Sequence, residues 1–98
     1  MQIEVIQADY HNPKHASDLT QLLNAYANDP MGGGQPLAHT TQTHLIAELA
    51  KRSHVFSIIC YVDQQPAGIV NCVEGFSTFA CKPLINIHDL AVSQEFRG

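Results

Sequence analysis

The chain has 98 residues, of which 45% are hydrophobic and 14% are charged, and its formal net charge is −4 at pH 7. This composition is typical of one small folded domain, residues 1–98, and argues against disorder. The negative charge gives no electrostatic reason to expect nucleic-acid binding, and no apolar run approaches the roughly 20 residues that a membrane-spanning helix needs.

The first part of the chain predicts a strand and a long helix. Apolar and polar residues alternate from Gln2 to Ala8, as in a half-buried strand. Asn12-Pro13 indicates a helix start, because Asn caps free backbone N–H groups and Pro suits the first turn. Asp29-Pro30 ends this helix. Its apolar face consists of residues at helical spacing, namely Ala16, Leu19, Leu22, Leu23, Tyr26 and Ala27.

A glycine-rich loop and a second helix follow. The loop reads Met31-Gly32-Gly33-Gly34-Gln35-Pro36, which is consistent either with a plain flexible connector or with a segment that lines a site. Thr40 or Thr41 is expected to cap the second helix. The apolar face of that helix is Leu45, Ile46 and Leu49.

After Ser53 the spacing of the apolar residues changes from that of a helix to that of β-strands. Val55 to Val62 and Ala67 to Val73 predict a hairpin, with Asp63 to Pro66 as its turn. Glu74 to Lys82 is expected to be a looser connection whose Phe76 and Phe79 pack in the core or in a hairpin, with a role as pocket walls as the alternative. Pro83 then opens a last strand that runs to Val92. The predicted fold is α+β, with the order β-α-α-β-β-β and a mostly antiparallel sheet.

The last predicted strand carries two ionisable residues, His88 and Asp89, inside the apolar run Leu84 to Val92. Such residues are costly in a buried strand unless they are paired, solvated or used in chemistry. Neighbours on a strand point to opposite faces unless a bulge intervenes. Both are therefore candidate catalytic residues, with a salt-bridged or structural polar role as the alternative for each.

Three stretches resemble the GCN5-related N-acetyltransferase (GNAT) family, in its N-terminal half. The most specific is INIHDLAVSQEFRG, Ile85 to Gly98, which is similar to the central strand of that family and to the start of its acetyl-coenzyme A loop, Q/R-x-x-G-x-G/A. The others are VDQQPAGIVNCVEGFSTF, Val62 to Phe79, and LLNAYANDPMGGGQPL, Leu22 to Leu37. These stretches look closest to the bacterial diamine and thialysine acetyltransferase branch. In the central strand, this sequence has His88 where that branch carries the first of two acidic residues.

The resemblance implies transfer of an acetyl group from acetyl-coenzyme A to a primary amine of a small molecule or a protein. It implies that backbone groups of the last strand hold the acetyl and pantetheine arm, that the following loop binds the pyrophosphate, and that the glycine-rich loop lies at the acceptor side. The implied cofactor-binding residues are Leu90, Ala91, Val92, Arg97 and Gly98, and the implied substrate-binding residues are Met31, Gly32, Gly33 and Gly34.

The resemblance also implies a half-fold that stops before the pyrophosphate-loop helix, so we expect no acetyl transfer by this chain alone. The alternative is a non-catalytic module that forms a homodimer or binds a protein through its exposed strand edge; a generic α+β domain with an unrelated ligand is a third. Cys60 and Cys72 are expected to be reduced thiols in a cytoplasmic protein. The six histidines lack metal-ligand spacing, so we expect no metal and no membrane or nucleic-acid partner.

Overall fold

The fold is built on a four-stranded antiparallel sheet, seen in a computed structural model that describes residues 1–97. The strands are β1 (Ile3–Gln7), β2 (Val55–Val62), β3 (Gln65–Ser77) and β4 (Lys82–Val92). Their order in the sheet is β1-β2-β3-β4, and each pairs antiparallel with the next. Strand β4 therefore lies at one end of the sheet, with a neighbour on one side only.

Two helices connect β1 to β2, namely α1 (Pro13–Asn28) and α2 (His39–Ala50). The Asn12 side chain caps α1, since its Oδ1 accepts the first-turn N–H groups of Lys14 and His15 at 2.9 and 3.2 Å. The predicted α+β class and the order β-α-α-β-β-β are confirmed. Short 3₁₀ turns follow α1 and β4.

The core lies between the helices and one face of the sheet, called the inner face here. Its buried members come from α1, from the central strands β2 and β3, and from the segment after β1: Ala8, Leu19, Leu22, Ile59, Tyr61 and Ile69. The predicted apolar face of α2 packs against this cluster. Asp18 is also buried here, where its Oδ2 accepts the Tyr61 hydroxyl at 2.6 Å and the Lys14 ammonium at 2.7 Å.

Three predictions about local structure are wrong. Helix α2 begins at His39 after Ala38, without a side-chain cap, so Thr40 and Thr41 lie inside it. The segment from residue 74 is not a loose connection, because β3 continues to Ser77 and pairs with β4 from Gly68 to Ser77. Phe76 and Phe79 do not pack in the core but are 60% and 102% exposed.

The β2–β3 hairpin carries a bulge just after its turn. Asp63 and Gln64 have φ of 48° and 70°, as in a two-residue hairpin turn. Tyr61 then lies opposite Pro66, whereas Cys60 lies opposite Gly68, so Ala67 is the extra residue. The bulge shifts the register of the rest of the hairpin by one.

The face of the sheet away from the helices, called the outer face, is apolar and largely exposed. Its aliphatic residues on the two end strands are 44–64% exposed and comprise Ile3, Val5, Ile85, Ile87, Leu90 and Val92. All three cysteines are free. Within residues 1–97, neither helix is both long and apolar enough to span a bilayer.

Candidate functional site

A cavity of about 360 Å³, called the inner cavity, lies between the inner face of the sheet and the two helices. Its apolar wall comes from α1, α2 and the loop between them, through Leu23, Leu37, Leu45 and Leu49. Its polar floor comes from β2, β3 and β4. Among the described residues, no Lys or Arg lines this cavity, and the carboxylate that lines it is that of Asp89.

His88 and Asp89 both line the inner cavity because β4 has a bulge at this point. Asp89 lies opposite Asn71 while Ile87 lies opposite Cys72, which leaves His88 as the extra residue in β4. A bulge places two successive side chains against one residue of the partner strand and re-aims them. The bulge therefore brings both residues to the lining of one cavity, where Asp89 is half-buried and His88 is exposed.

Three further polar residues of the site were missed by the sequence analysis: Tyr10, Ser57 and Asn71 all line the inner cavity. Asn71 Nδ2 donates to Asp89 Oδ2 at 3.1 Å, and Ser57 Oγ donates to Asn71 Oδ1 at 2.6 Å. The available signal was a lone polar residue within each of the apolar runs that form β2 and β3. Burial raises the pKa of the Tyr10 hydroxyl, which lies 2.8 Å from Ser57 Oγ.

A second cavity of about 450 Å³, called the end cavity, lies between the end of β4 and the end of α1. Ala91, Val92 and Arg97 line it together with Asp29. Tyr26, on α1, lines both this cavity and the inner cavity.

Arg97 is tied down on the wall of the end cavity. Its Nε donates to the Val92 carbonyl at 2.9 Å, and its Nη2 donates to Asp29 Oδ2 at 3.1 Å. The other oxygen of that carboxylate accepts the Met31 N–H at 2.9 Å. The Met31 N–H and the Arg97 guanidinium together hold the pKa of Asp29 below its usual value.

The end of β4 presents backbone groups at the free edge of the sheet. The Ser93 N–H donates to the Ala67 carbonyl at 2.7 Å. Because bonded and non-bonded pairs alternate in an antiparallel ladder, Ala91 also directs its backbone groups to β3, whereas Leu90 and Val92 direct theirs away from it. Of the three residues expected to hold the acetyl arm, Leu90 and Val92 thus direct their backbone groups away from β3, but the Val92 carbonyl already accepts the Arg97 Nε–H. The Leu90 side chain lies on the outer face and is 64% exposed.

Of the four residues of the glycine-rich loop named as candidates, Gly32 alone lines the inner cavity within the described chain. Met31 is 85% exposed, and Gly33 and Gly34 are exposed turn residues with φ of 114° and 78°. Gly98, the other candidate for the pyrophosphate loop, lies outside the described residues. Residues 1–97 hold no group of three or more His, Cys, Asp or Glu side chains arranged to bind a metal ion.

No family model matches the sequence, and no curated protein matches it. Solved structures do match. A ribosomal-protein-alanine N-acetyltransferase from Brucella melitensis is 14% identical with a TM-score of 0.74, over 100% of this chain and 61% of that protein. A GNAT-family acetyltransferase from Staphylococcus aureus is 15% identical with a TM-score of 0.74, over 99% and 67%. An aminoglycoside acetyltransferase from an uncultured soil sample, in complex with sisomicin, is 15% identical with a TM-score of 0.75, over 97% and 59%.

These likenesses establish the fold. The four-stranded sheet with its two helices matches part of the arrangement seen in solved GNAT acetyltransferases. The chain spans about three fifths of the length of the structures that it matches.

Proposed function

We propose that the chain is part of an N-acetyltransferase that moves an acetyl group from acetyl-coenzyme A to a primary amine, and that its inner cavity holds the amine. The observation that carries this proposal is the bulge in β4, because it brings His88 and Asp89 to the lining of one cavity beside a free strand edge. The acetyltransferase fold of the solved neighbours supports it.

The residues of the inner cavity suit the acceptor side of the reaction. An amine is bound as an ammonium ion and must lose a proton before it can attack a carbonyl carbon. In this proposal the Asp89 carboxylate attracts the cation and His88, which lines the same cavity, takes the proton, a role that histidine fills most often in enzymes. The leucines of the wall exclude water around the apolar part of the acceptor.

The end of β4 suits the amide-rich arm of coenzyme A. The Leu90 N–H and C=O and the Val92 N–H at the sheet edge can pair with amides, as an added strand would, whereas the Val92 carbonyl already accepts from Arg97. When bound, coenzyme A supplies the acetyl group as a thioester. The fit at the phosphate end is incomplete within residues 1–97, because Arg97 already pairs with Asp29 and Glu95 adds a second carboxylate to the end cavity.

We further propose that the chain alone does not turn over and that the additional length of its neighbours completes the cofactor site. The same proposal assigns the protein to the cytoplasm. Its three cysteines are free, and thiols are kept reduced in that compartment. The acceptor is proposed only as a class of compound, a primary amine, because the matched proteins are named for acceptors as different as a ribosomal protein and aminoglycosides.

The test compares this 98-residue chain with the product of the full reading frame that encodes it. Thiol release from acetyl-coenzyme A is followed with n-butylamine as acceptor. We expect release by the longer product and none by the chain alone. His88→Gln should lower kcat/KM of the longer product about 100-fold or more, the usual loss for a general base. His54→Gln, the same change at an exposed histidine that does not line either cavity, is the control.

Two results would contradict the proposal: acetyl transfer by the 98-residue chain alone, which would overturn the incomplete-site part, or no transfer to any primary amine by the longer product, which would overturn the activity. Equal losses for His88→Gln and His54→Gln would remove His88 from the proposed chemistry.

A second candidate function is a non-catalytic homodimer or protein-binding module. It is favoured by the free edge of β4 and by the exposed aliphatic residues of the outer face. Size-exclusion chromatography with light scattering tests it, since a dimer should revert to a monomer in Ile87→Lys, where a charge is placed on the edge strand. A wild-type chain that is monomeric at high concentration would contradict this candidate.

A further inference from the structure

A continuous row of hydrogen bonds crosses the floor of the inner cavity from the loop after β1 to the bulge of β4. Tyr10 Oη lies 2.8 Å from Ser57 Oγ, Ser57 Oγ lies 2.6 Å from Asn71 Oδ1, and Asn71 Nδ2 lies 3.1 Å from Asp89 Oδ2. Ser57 is 1% exposed, and Asn71 and Asp89 are half-buried. Bonds of this kind, partly shielded from water, fix side chains more firmly than the same bonds at the surface.

The direction of every proton in the row follows from its last member. An ionised carboxylate only accepts, so the Asn71 amide must present its NH₂ group to Asp89 and its oxygen to Ser57. The Ser57 hydroxyl therefore donates its single proton to Asn71. The Tyr10 hydroxyl must then donate to Ser57, because the single Ser57 proton is already directed to Asn71.

We infer that Asn71 is a positioning residue, which together with Ser57 holds the Asp89 carboxylate so that its second oxygen is reserved for the ammonium group of the acceptor. Asp89 Oδ1 has no hydrogen-bond partner among residues 1–97, and no side-chain oxygen or nitrogen of the described chain is both buried and unpaired. This inference rests on the proposed function, because it names what that cavity selects: an aliphatic primary ammonium ion.

The same geometry excludes a role for the row as a proton wire. A carboxamide does not pass a proton from its nitrogen to its oxygen under ordinary conditions, so Asn71 interrupts the path between Asp89 and Tyr10. The proton lost by the amine therefore leaves through His88 or solvent. Tyr10, at the far end of the row, supports Ser57 without contributing to the charge seen by the acceptor.

Binding of a charged and a neutral ligand of the same shape tests the inference. The wild-type chain is titrated with n-butylamine, at a pH where it is an ammonium ion, and separately with n-butanol, while backbone amide resonances are followed by NMR. We expect n-butylammonium to bind about tenfold more tightly than n-butanol, as hydrogen bonds to charged groups allow. A structural change to the cavity would weaken both ligands equally and would leave this ratio unchanged.

The variants separate the members of the row. Asn71→Leu should lower the ratio at least threefold, and Ser57→Ala should lower it in the same direction, because the Asn71 amide is then free to flip. Tyr10→Phe should leave the ratio within twofold of the wild type. The Asn71 side-chain NH₂ resonances should shift in Asp89→Asn, which reports the contact without any ligand. Thermal unfolding verifies that each variant is folded.

Each outcome points to one conclusion. An unchanged ratio in both Asn71→Leu and Ser57→Ala would overturn the positioning role and leave the proposed function intact. Equal affinities of the wild-type chain for the two ligands would overturn the positioning role and also the proposed binding of the amine in the inner cavity. A ratio that falls as much in Tyr10→Phe as in Asn71→Leu would overturn the statement that Tyr10 does not contribute to the charge seen by the acceptor.

Discussion

Replacing Gly32 by alanine should detach the glycine-rich loop from the end of α1. A Cβ at this position would lie 1.9 Å from the Tyr26 carbonyl oxygen, so the loop must retreat by about 1.1 Å before the separation reaches even 3.0 Å. Two loop hydrogen bonds depend on this approach, since the Gly32 and Gly34 N–H groups donate to the Asp29 carbonyl at 2.8 and 3.0 Å. A third joins the Gln35 N–H to α1 at 3.1 Å.

The expected loss of stability follows from those three bonds. At about 1 kcal/mol for each, the free energy of unfolding should fall by about 3 kcal/mol if all of them break. In urea this moves the unfolding midpoint down by about 1 M or more, which circular dichroism measures readily. Gly34→Ala is the matched control: nothing lies within 4 Å of its added Cβ, so it reports only the cost of φ +78°. That cost is about 1–2 kcal/mol. A loss in Gly32→Ala no larger than in Gly34→Ala would refute the close approach to Tyr26.

Two further predictions concern the core and the start of α1. Burial and the bond to Asp18 keep Tyr61 protonated above pH 10, where an unfolded tyrosine ionises, so stability should fall as pH rises above that value. Urea unfolding between pH 9 and 11.5 should show a shallower fall in Tyr61→Phe, and an unchanged slope would contradict the assignment. Asn12→Ala should lower the free energy of unfolding by about 1 kcal/mol, through loss of the cap. Asn12→Ser should retain most of it, and equal melting temperatures for the two variants would show that the cap contributes nothing.

The elements could be predicted from the sequence because their signals are local. The Asn12-Pro13 start, the Asp29-Pro30 stop and the β-branched run of β2 each act within a few residues, and the structure follows all three. The start of α2 could not be found in this way, because that helix begins without a capping side chain. The exposure of Phe76 was missed for another reason: a strand can continue beyond the core that covers it.

The floor of the inner cavity could not be predicted, because it depends on two single-residue insertions in the ladder. Without the extra Ala67, simple counting from the turn places Ser57 opposite Val70 rather than opposite Asn71. Without the extra His88, only one of two consecutive polar residues would reach the cavity. A bulge has a weak sequence signal, although the spacing of the apolar residues at 85, 87, 90 and 92 contains the skipped step.

Asp29 gives the molecule a single fastening point for two distant parts of the chain. One carboxylate oxygen holds the loop beside the inner cavity through Met31, and the other holds the segment after β4 through Arg97. An anion that bound the Arg97 guanidinium would break its contact with the Asp29 carboxylate and would leave the hydrogen bond from the Met31 N–H in place. The two ends of the site can therefore be released separately, although one side chain secures both.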